Sequence, residues 1–276
     1  MIAKAKPKLH FSRKLLAIPY GIFLALFVVL PLLIIVYYAF FNDKGIPDWE
    51  YVKIFFTEDF ASKIKTIGIS LFISFASTII CLIIAYPVAY IIANCKLKNK
   101  SVLLLLFIVP MWVNFVLRIN ALREFLILIG TYNNPNWNIF NTILGMVYDF
   151  LPFMILPIYT TIIKIDKSYL EAAKDLGSSN VYAFIKVTLP LSKGGIMSGV
   201  SMVFLPSMTN YVVSNYLTNK NVKILGKLID DYFTGDLWHD GAFLSLLLLV
   251  FMFLVTWLTG GFSEDEQANA RGGSLW

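Results

Sequence analysis

Asp149, Arg118, Arg123 and Glu124 are ionisable residues set in text that is otherwise apolar. A charged side chain inside a membrane-crossing run is costly and marks a functional position by default. Tyr148 adjoins Asp149, and Trp112, Asn210 and Tyr211 fall in neighbouring apolar runs. A carboxylate among aromatic faces attracts a cation, since a cation over a ring gains about 0.5–2 kcal/mol. Two uses of Asp149 stay open on the residues alone: contact with a solute, or a structural ion pair with Arg118 or Arg123.

A second constellation is local. From Lys164 to Gly194 the chain reads KIDKSYLEAAKDLGSSNVYAFIKVTLPLSKG. Ser168-Tyr169-Leu170-Glu171 fits a capping box, in which the Ser168 hydroxyl and the Glu171 carboxylate each accept the other's backbone amide. Leu170, Ala172, Ala173, Lys174 and Leu176 favour a helix, and Gly177 supplies a left-handed stop. Ser179 or Asn180 can cap a second helix carrying Val181, Phe184, Ile185 and Thr188 on one side, with Pro190 ending it. Two short helices joined by a tight turn are expected.

Other chemistries are missing from the text. No G-x-x-x-x-G-K-[ST] run is present to cradle ATP phosphates. His10 and His239 are the only histidines, and neither has HExxH or Cys/His company. No metal, cofactor or catalytic residue is expected. Cys81 and Cys95, on one helix, would lie about 21 Å apart, far beyond disulfide reach.

The elements that position these residues follow from composition. Of 276 residues, 58% are hydrophobic and 14% charged, and the mean hydropathy is +0.72. Soluble domains carry about 25% charged residues, so a cytosolic enzyme, a disordered regulator and a nucleic-acid partner are all excluded. The chain reads as an all-α polytopic membrane protein. A bilayer core requires about 20 apolar residues per helix, because bare backbone finds no water there. Six runs qualify, at about 15–41, 67–93, 102–129, 142–163, 195–217 and 242–260. The third is broken by Pro110 and Arg118, the fifth at Pro206. The fifth is also small and polar, and Gly195-x-x-x-Gly199 suits either close helix packing or a path wall.

Orientation follows from Lys and Arg. Lys4, Lys6, Lys8, Arg13 and Lys14 precede the first run; Lys96, Lys98 and Lys100 separate the second and third. Lys164, Lys167, Lys174, Lys186 and Lys193 lie between the fourth and fifth. Both termini are expected inside the cell: a basic segment 1–14, a membrane domain 15–262 with a cytoplasmic loop 164–194, and a tail 263–276.

Glu171-Ala172-Ala173, then Gly177, then Val187-x-Leu189-Pro190 resembles the EAA loop of permease subunits of bacterial ABC importers. The runs Leu104–Arg118 and Leu189–Leu217, and the closing Gly-Gly-Ser-Leu-Trp, are similar to the B-type permease of spermidine/putrescine importers. Gly194 stands where that family often has Pro, and Arg118-Ile119-Asn120-Ala121-Leu122 where it has Arg-Thr-Tyr-Ala-Trp-like text. These departures bear on the solute more than on the machine.

The resemblance implies the six-helix type I (MetI-like) permease fold in the bacterial cytoplasmic membrane. It implies alternating access driven by two separate ATP-binding subunits, beside a second, different permease and an extracytoplasmic solute-binding protein. Glu171, Ala172, Ala173, Gly177, Leu189 and Pro190 would form the ATPase-coupling element, with Leu170, Ala173, Leu176 and Phe184 as groove anchors. Asp149, Tyr148, Trp112, Tyr211 and Asn210 would flank the path of a small cation such as spermidine or putrescine. A stand-alone transporter or channel, or an ABC permease for another solute, stays open here.

Overall fold

A computed structural model describes residues 13–42, 45–47, 49–57, 59–95 and 100–258. Lys4, Lys6 and Lys8, the loop residues Lys96 and Lys98, and the expected tail 263–276 lie outside them. Among the described residues there is no strand beyond one bridge pair, Phe41 with Pro47.

The chain opens with α1, which runs as Arg13–Leu24, a wide π-turn Ala25–Val29 and Leu30–Phe40. The π-turn ends two residues before Pro31 and contains Phe27, the residue whose carbonyl a proline at 31 would crowd and leave without an amide partner. The short α2, Glu50–Thr57, leads to α3, Phe60–Asn94, whose 35 residues span about 52 Å at ~1.5 Å each. One face of α3 is small and polar, with Ser70, Ser74, Ser77, Thr78, Cys81, Ala85 and Ala89 all buried. That face lets α3 lie close against its neighbours.

The third expected span is α4, Lys100–Ile108, a 3-10 turn Val109–Trp112, and α5, Phe115–Leu128. The two arms meet at 92°. The bend falls at Val113 and Asn114; Arg118 lies beyond it, inside α5. α6, Asn138–Ile162, is continuous through Pro152 and Pro157. A hairpin then follows, built from α7, Lys167–Asp175, and α8, Asn180–Ala183, extended by a π-turn Phe184–Thr188 and a turn Leu189–Leu191. The fifth expected span is α9, Lys193–Thr209, and α10, Tyr211–Thr218, bent by 59°. α11, Leu225–Thr234, lies at the far end of the bundle, and α12, Trp238–Leu258, closes the described chain.

Among the described residues, four helices are long and apolar enough to cross a membrane, or six when each bent pair counts as one span. The core lies where α3, α6 and α9 meet, around Ile73, Met146, Met154, Ile155, Ile158 and Val203. α1 packs along α12 and leaves nearly all of its apolar surface uncovered by the rest of the chain.

Gly195 and Gly199 are used for packing. A Cβ at Gly195 would stand 2.5 Å from Thr161 Oγ1 and 2.7 Å from the Pro157 carbonyl, and one at Gly199 2.7 Å from Met154 Sδ. The small residues of α9 thus bring its backbone against α6.

The fifth segment bends at Asn210, not at Pro206. Pro206 sits inside α9, whose helix runs on for three more residues. Asn210 is where the backbone leaves helical geometry, at φ −75° and ψ 69°. Gly226 of α11 is pressed against this point: a Cβ there would collide with the Thr209 carbonyl group and stand 2.8 Å from its Cα.

Candidate functional site

The hairpin between α6 and α9 is built by local chemistry, with one difference from expectation. The N-cap of α7 is Asp166, whose Oδ1 accepts the Ser168 amide at 3.0 Å. Ser168 is therefore already inside the helix and does not form the capping box with Glu171. The sequence offers Asp166 and Ser168 two residues apart, and the carboxylate wins because a charged acceptor suits the positive end of the helix dipole. The donated amide holds the Asp166 carboxyl below its usual range.

α7 ends at Gly177, with φ +82°. The Ser178 amide reaches the Ala173 carbonyl at 3.0 Å and the Gly177 amide reaches Lys174 at 2.8 Å. This pair of bonds is the Schellman closure, and it needs a left-handed residue. Ser179 then caps α8, its Oγ accepting the Tyr182 amide at 3.2 Å. Pro190 does not end the second helix. The π-turn before it contains Lys186, whose carbonyl the proline leaves without an amide, and the chain turns once more through Leu189–Leu191 before α9.

Glu171, Ala172, Gly177, Leu189 and Pro190 are exposed on this hairpin, and Ala173 is half-buried. Leu176 is 88% exposed, with Val181, Tyr182 and Ile185 also open. Of the expected groove anchors, Leu170 is half-buried and Phe184 is turned inward. Its ring meets Tyr86 and Tyr90 of α3 edge-on, at 5.6 and 5.0 Å between centroids. Below it, Tyr86 and the buried Ser192 share a hydrogen bond of 2.7 Å. The hairpin therefore has an open apolar side and a side fastened to the bundle.

Within the bundle, Arg118 Nη2 donates to Asp149 Oδ1 at 2.7 Å, both side chains being about nine-tenths buried. Asn210 Nδ2 donates to the other carboxylate oxygen at 3.4 Å. The guanidinium lies 5.9 Å from the Tyr148 ring and 6.0 Å from Phe115. Arg123, the other partner that the sequence offered, lies over Tyr132 at 5.0 Å. Asp149, Tyr148 and Asn210 thus come together around Arg118. Trp112 does not join them: it is 79% exposed on the turn Val109–Trp112.

Tyr211 faces the other way. Its hydroxyl donates to Asp230 Oδ1 at 3.4 Å, and Lys227 Nζ stands 5.5 Å from its ring. Lys227 also bridges Asp230 at 2.8 Å and Asp231 at 2.9 Å. Hydrogen bonds to those two carboxylates hold its ammonium above the usual lysine range. This cluster on α11 was not foreseen, although Lys227, Asp230 and Asp231 at i, i+3 and i+4 are a readable helix-face signal. Nor was Lys63, a buried ammonium that donates to the Phe55 carbonyl at 3.1 Å and lies 4.5 Å from the Phe55 ring. Among the described residues no group of His, Cys, Asp and Glu is arranged to hold a metal.

A family model described as the binding-protein-dependent transport system inner membrane component matches residues 85–263. The spermidine/putrescine transport system permease protein PotB of Escherichia coli strain K12 is 35% identical over 257 residues, covering 85% of this chain and 92% of that protein. PotB of Haemophilus influenzae is 37% identical over 200 residues, covering 67% and 70%. The PotB homolog of Mycoplasma genitalium is 32% identical over 175 residues, covering 60% and 61%. Among solved structures, a chain of a bacterial ABC transporter involved in the import of the acidic polysaccharide alginate superposes with a TM-score of 0.73. That match is at 16% identity and covers 91% of this chain and 94% of the other. A chain of the MetNI methionine ABC transporter superposes with a TM-score of 0.56 at 16% identity, covering 73% and 94%. At such identities the structural likeness carries the fold alone.

Proposed function

We propose that this chain, which belongs to the family of binding-protein-dependent transport system inner membrane components, moves spermidine or putrescine across the cytoplasmic membrane by alternating access. The chain is the permease subunit of an ABC importer and not a catalyst. The observation that carries the solute is relatedness to a spermidine/putrescine permease extending over 92% of that protein, far beyond any single motif. A second permease, two ATP-binding subunits and an extracytoplasmic binding protein complete the assembly.

Both termini face the cytoplasm in this reading, with 1–14 and 263–276 flanking a membrane domain 15–262. The hairpin within 164–194 then projects to the side of the ATP-binding subunits. Glu171, Ala172, Ala173, Gly177, Leu189 and Pro190 form the coupling element. What supports this is the two-sidedness of the hairpin: Leu176, Val181 and Tyr182 are open to a groove, while Phe184 ties the same unit to α3. A push on the open side is delivered to the bundle because the Schellman closure fixes the angle between α7 and α8.

The solute path runs past Tyr148, Asp149 and Asn210, with Trp112 and Tyr211 flanking it further out. In the described state Asp149 is neutralised by Arg118, so the solute passes an ion pair there and not a free carboxylate.

The test is uptake of radiolabelled spermidine into proteoliposomes that hold the whole assembly with loaded binding protein. Uptake is expected to be saturable and to require ATP inside the vesicle compartment that carries the ATP-binding subunits. Equal uptake without ATP, or by this chain alone, would overturn the reading in favour of a stand-alone transporter.

A further inference from the structure

Two spanning segments are broken, and a single carboxylate touches both. The first break, of 92°, is followed by α5, whose N-cap Asn114 accepts the Val116 and Leu117 amides at 2.9 and 3.4 Å. Arg118 lies one turn further on and holds Asp149 Oδ1. The second break, of 59°, falls at Asn210, which holds Asp149 Oδ2. Asp149 itself stands in the middle of α6, which is unbroken over 25 residues. One turn before it, a Cβ on Gly145 would collide with Leu217 and Val213, so α10 packs closely against the same helix.

A buried ion pair contributes little net stability, but losing one partner costs several kcal/mol, so its natural use is to specify a geometry. The Arg118 Nε is buried without a hydrogen-bond partner in this arrangement. An unmet donor beside an otherwise tight pair is what a second arrangement would satisfy. The break at Asn210 also has an input from the far end of the bundle, because Gly226 of α11 bears on the Thr209 backbone.

We propose that Arg118 and Asn210 are positioning residues that act through Asp149, so that the bends of the third and fifth spans change together. The inference rests on the permease reading above but not on the identity of the solute. In it, pressure on α11 reaches Thr209, alters the bend at Asn210, and is carried through the Asp149 carboxylate to Arg118 and α5.

The experiment uses the whole assembly in proteoliposomes and reads solute moved per ATP hydrolysed. Arg118→Gln is expected to keep binding-protein-stimulated ATP hydrolysis within about twofold while the ratio falls about five- to tenfold or more, the range of ordinary coupling energies. Exchanging the pair, R118D with D149R, is expected to restore most of the ratio, since the Asn210 amide can turn its oxygen to the new guanidinium. An unchanged ratio in Arg118→Gln overturns the proposal. So does an exchanged pair that stays inactive while Asp149→Asn abolishes uptake, a result that keeps Asp149 as a solute contact. Where a single variant fails to assemble, the exchanged pair decides alone, restored coupling supporting the proposal and continued failure overturning it.

A second measurement needs no solute. Spin labels at the exposed Leu117 on α5 and Tyr216 on α10 report the two arms directly. A single distance distribution is expected in the unmodified chain, broadened or split in Arg118→Gln. The same distribution in both overturns the proposal, whereas an unmodified assembly that moves no polyamine overturns only the solute reading.

Discussion

The ring of Phe184 meets that of Tyr90 edge-on at 5.0 Å, across 94 positions of sequence, and so fixes the loop hairpin to the end of the longest helix. A coupling element needs such a fastening, because a hairpin held only by its two chain ends would swing without moving the bundle. A fully buried Phe→Ala change costs ~3–5 kcal/mol, so for the half-buried Phe184 the expected loss is about 2 kcal/mol. Phe184→Ala is expected to insert and assemble, to keep ATP hydrolysis, and to lose most uptake. Parallel hydrolysis and uptake assays on one preparation check this, and Phe184→Tyr should be close to normal.

At Gly177 the constraint is conformational and not steric. Its φ is +82°, yet nothing lies within 4 Å of the place a Cβ would take. A left-handed backbone costs an ordinary residue roughly 1–2 kcal/mol, and Asn least. Uptake is therefore expected to fall in the order Gly, Asn, Ala, Val at position 177, with membrane insertion unchanged throughout. A Val variant transporting normally would contradict the role of the Schellman closure.

Asp166 and Ser168 separate two ways of starting α7. Asp166→Ala is expected to fray the first turn, read as faster amide exchange at Ser168 and Tyr169, whereas Ser168→Ala leaves exchange unchanged. The folded carboxyl sits below its unfolded value. Its contribution is thus complete above the ordinary carboxylate range near pH ~4 and is lost only as pH falls through the lower folded value. Hairpin protection should be flat from neutral pH down to about 4 and decline below it.

Gly195→Val drives a side chain into Thr161 and the Pro157 carbonyl, and a backbone atom cannot yield as a side chain can. Overpacking of this kind costs roughly 1–3 kcal/mol. A lowered thermal midpoint in detergent is expected, larger than that for Gly195→Ala. Gly21→Val, at a glycine with nothing within 4 Å of its Cβ position, serves as the control with no shift.

The hairpin was legible because its signals are local. Gly177 needs a left-handed turn, Ser179 offers a hydroxyl to its own helix, and neither depends on distant neighbours. Where two local signals competed, as at Asp166 and Ser168, spacing could not choose between them. Features set by distant contact were hidden. Phe184 reads as an exposed anchor until Tyr86 and Tyr90 are beside it. Pro206 reads as the break until Gly226 is seen pressing on Thr209. The sequence left Arg118 and Arg123 as equal partners for Asp149, and the fold chose Arg118 by sending Arg123 to Tyr132. The Lys227 cluster lies outside the six apolar runs, on a helix whose sign in the text is the i, i+3 and i+4 spacing of Lys227, Asp230 and Asp231.

Where α6 and α9 touch at Gly195 and Gly199, the α9 main chain rests on the Pro157 carbonyl, the Thr161 side chain and the Met154 thioether with no side chain of its own between. On its α9 side such a joint has no rotamers to exchange, and the Pro157 carbonyl opposite Gly195 cannot yield, which opposes rolling or sliding of one helix past the other. The pair must travel as a single stiff beam. Whatever reshaping the molecule undergoes is therefore left to the two elbows outside that beam, at Val113–Asn114 and at Asn210.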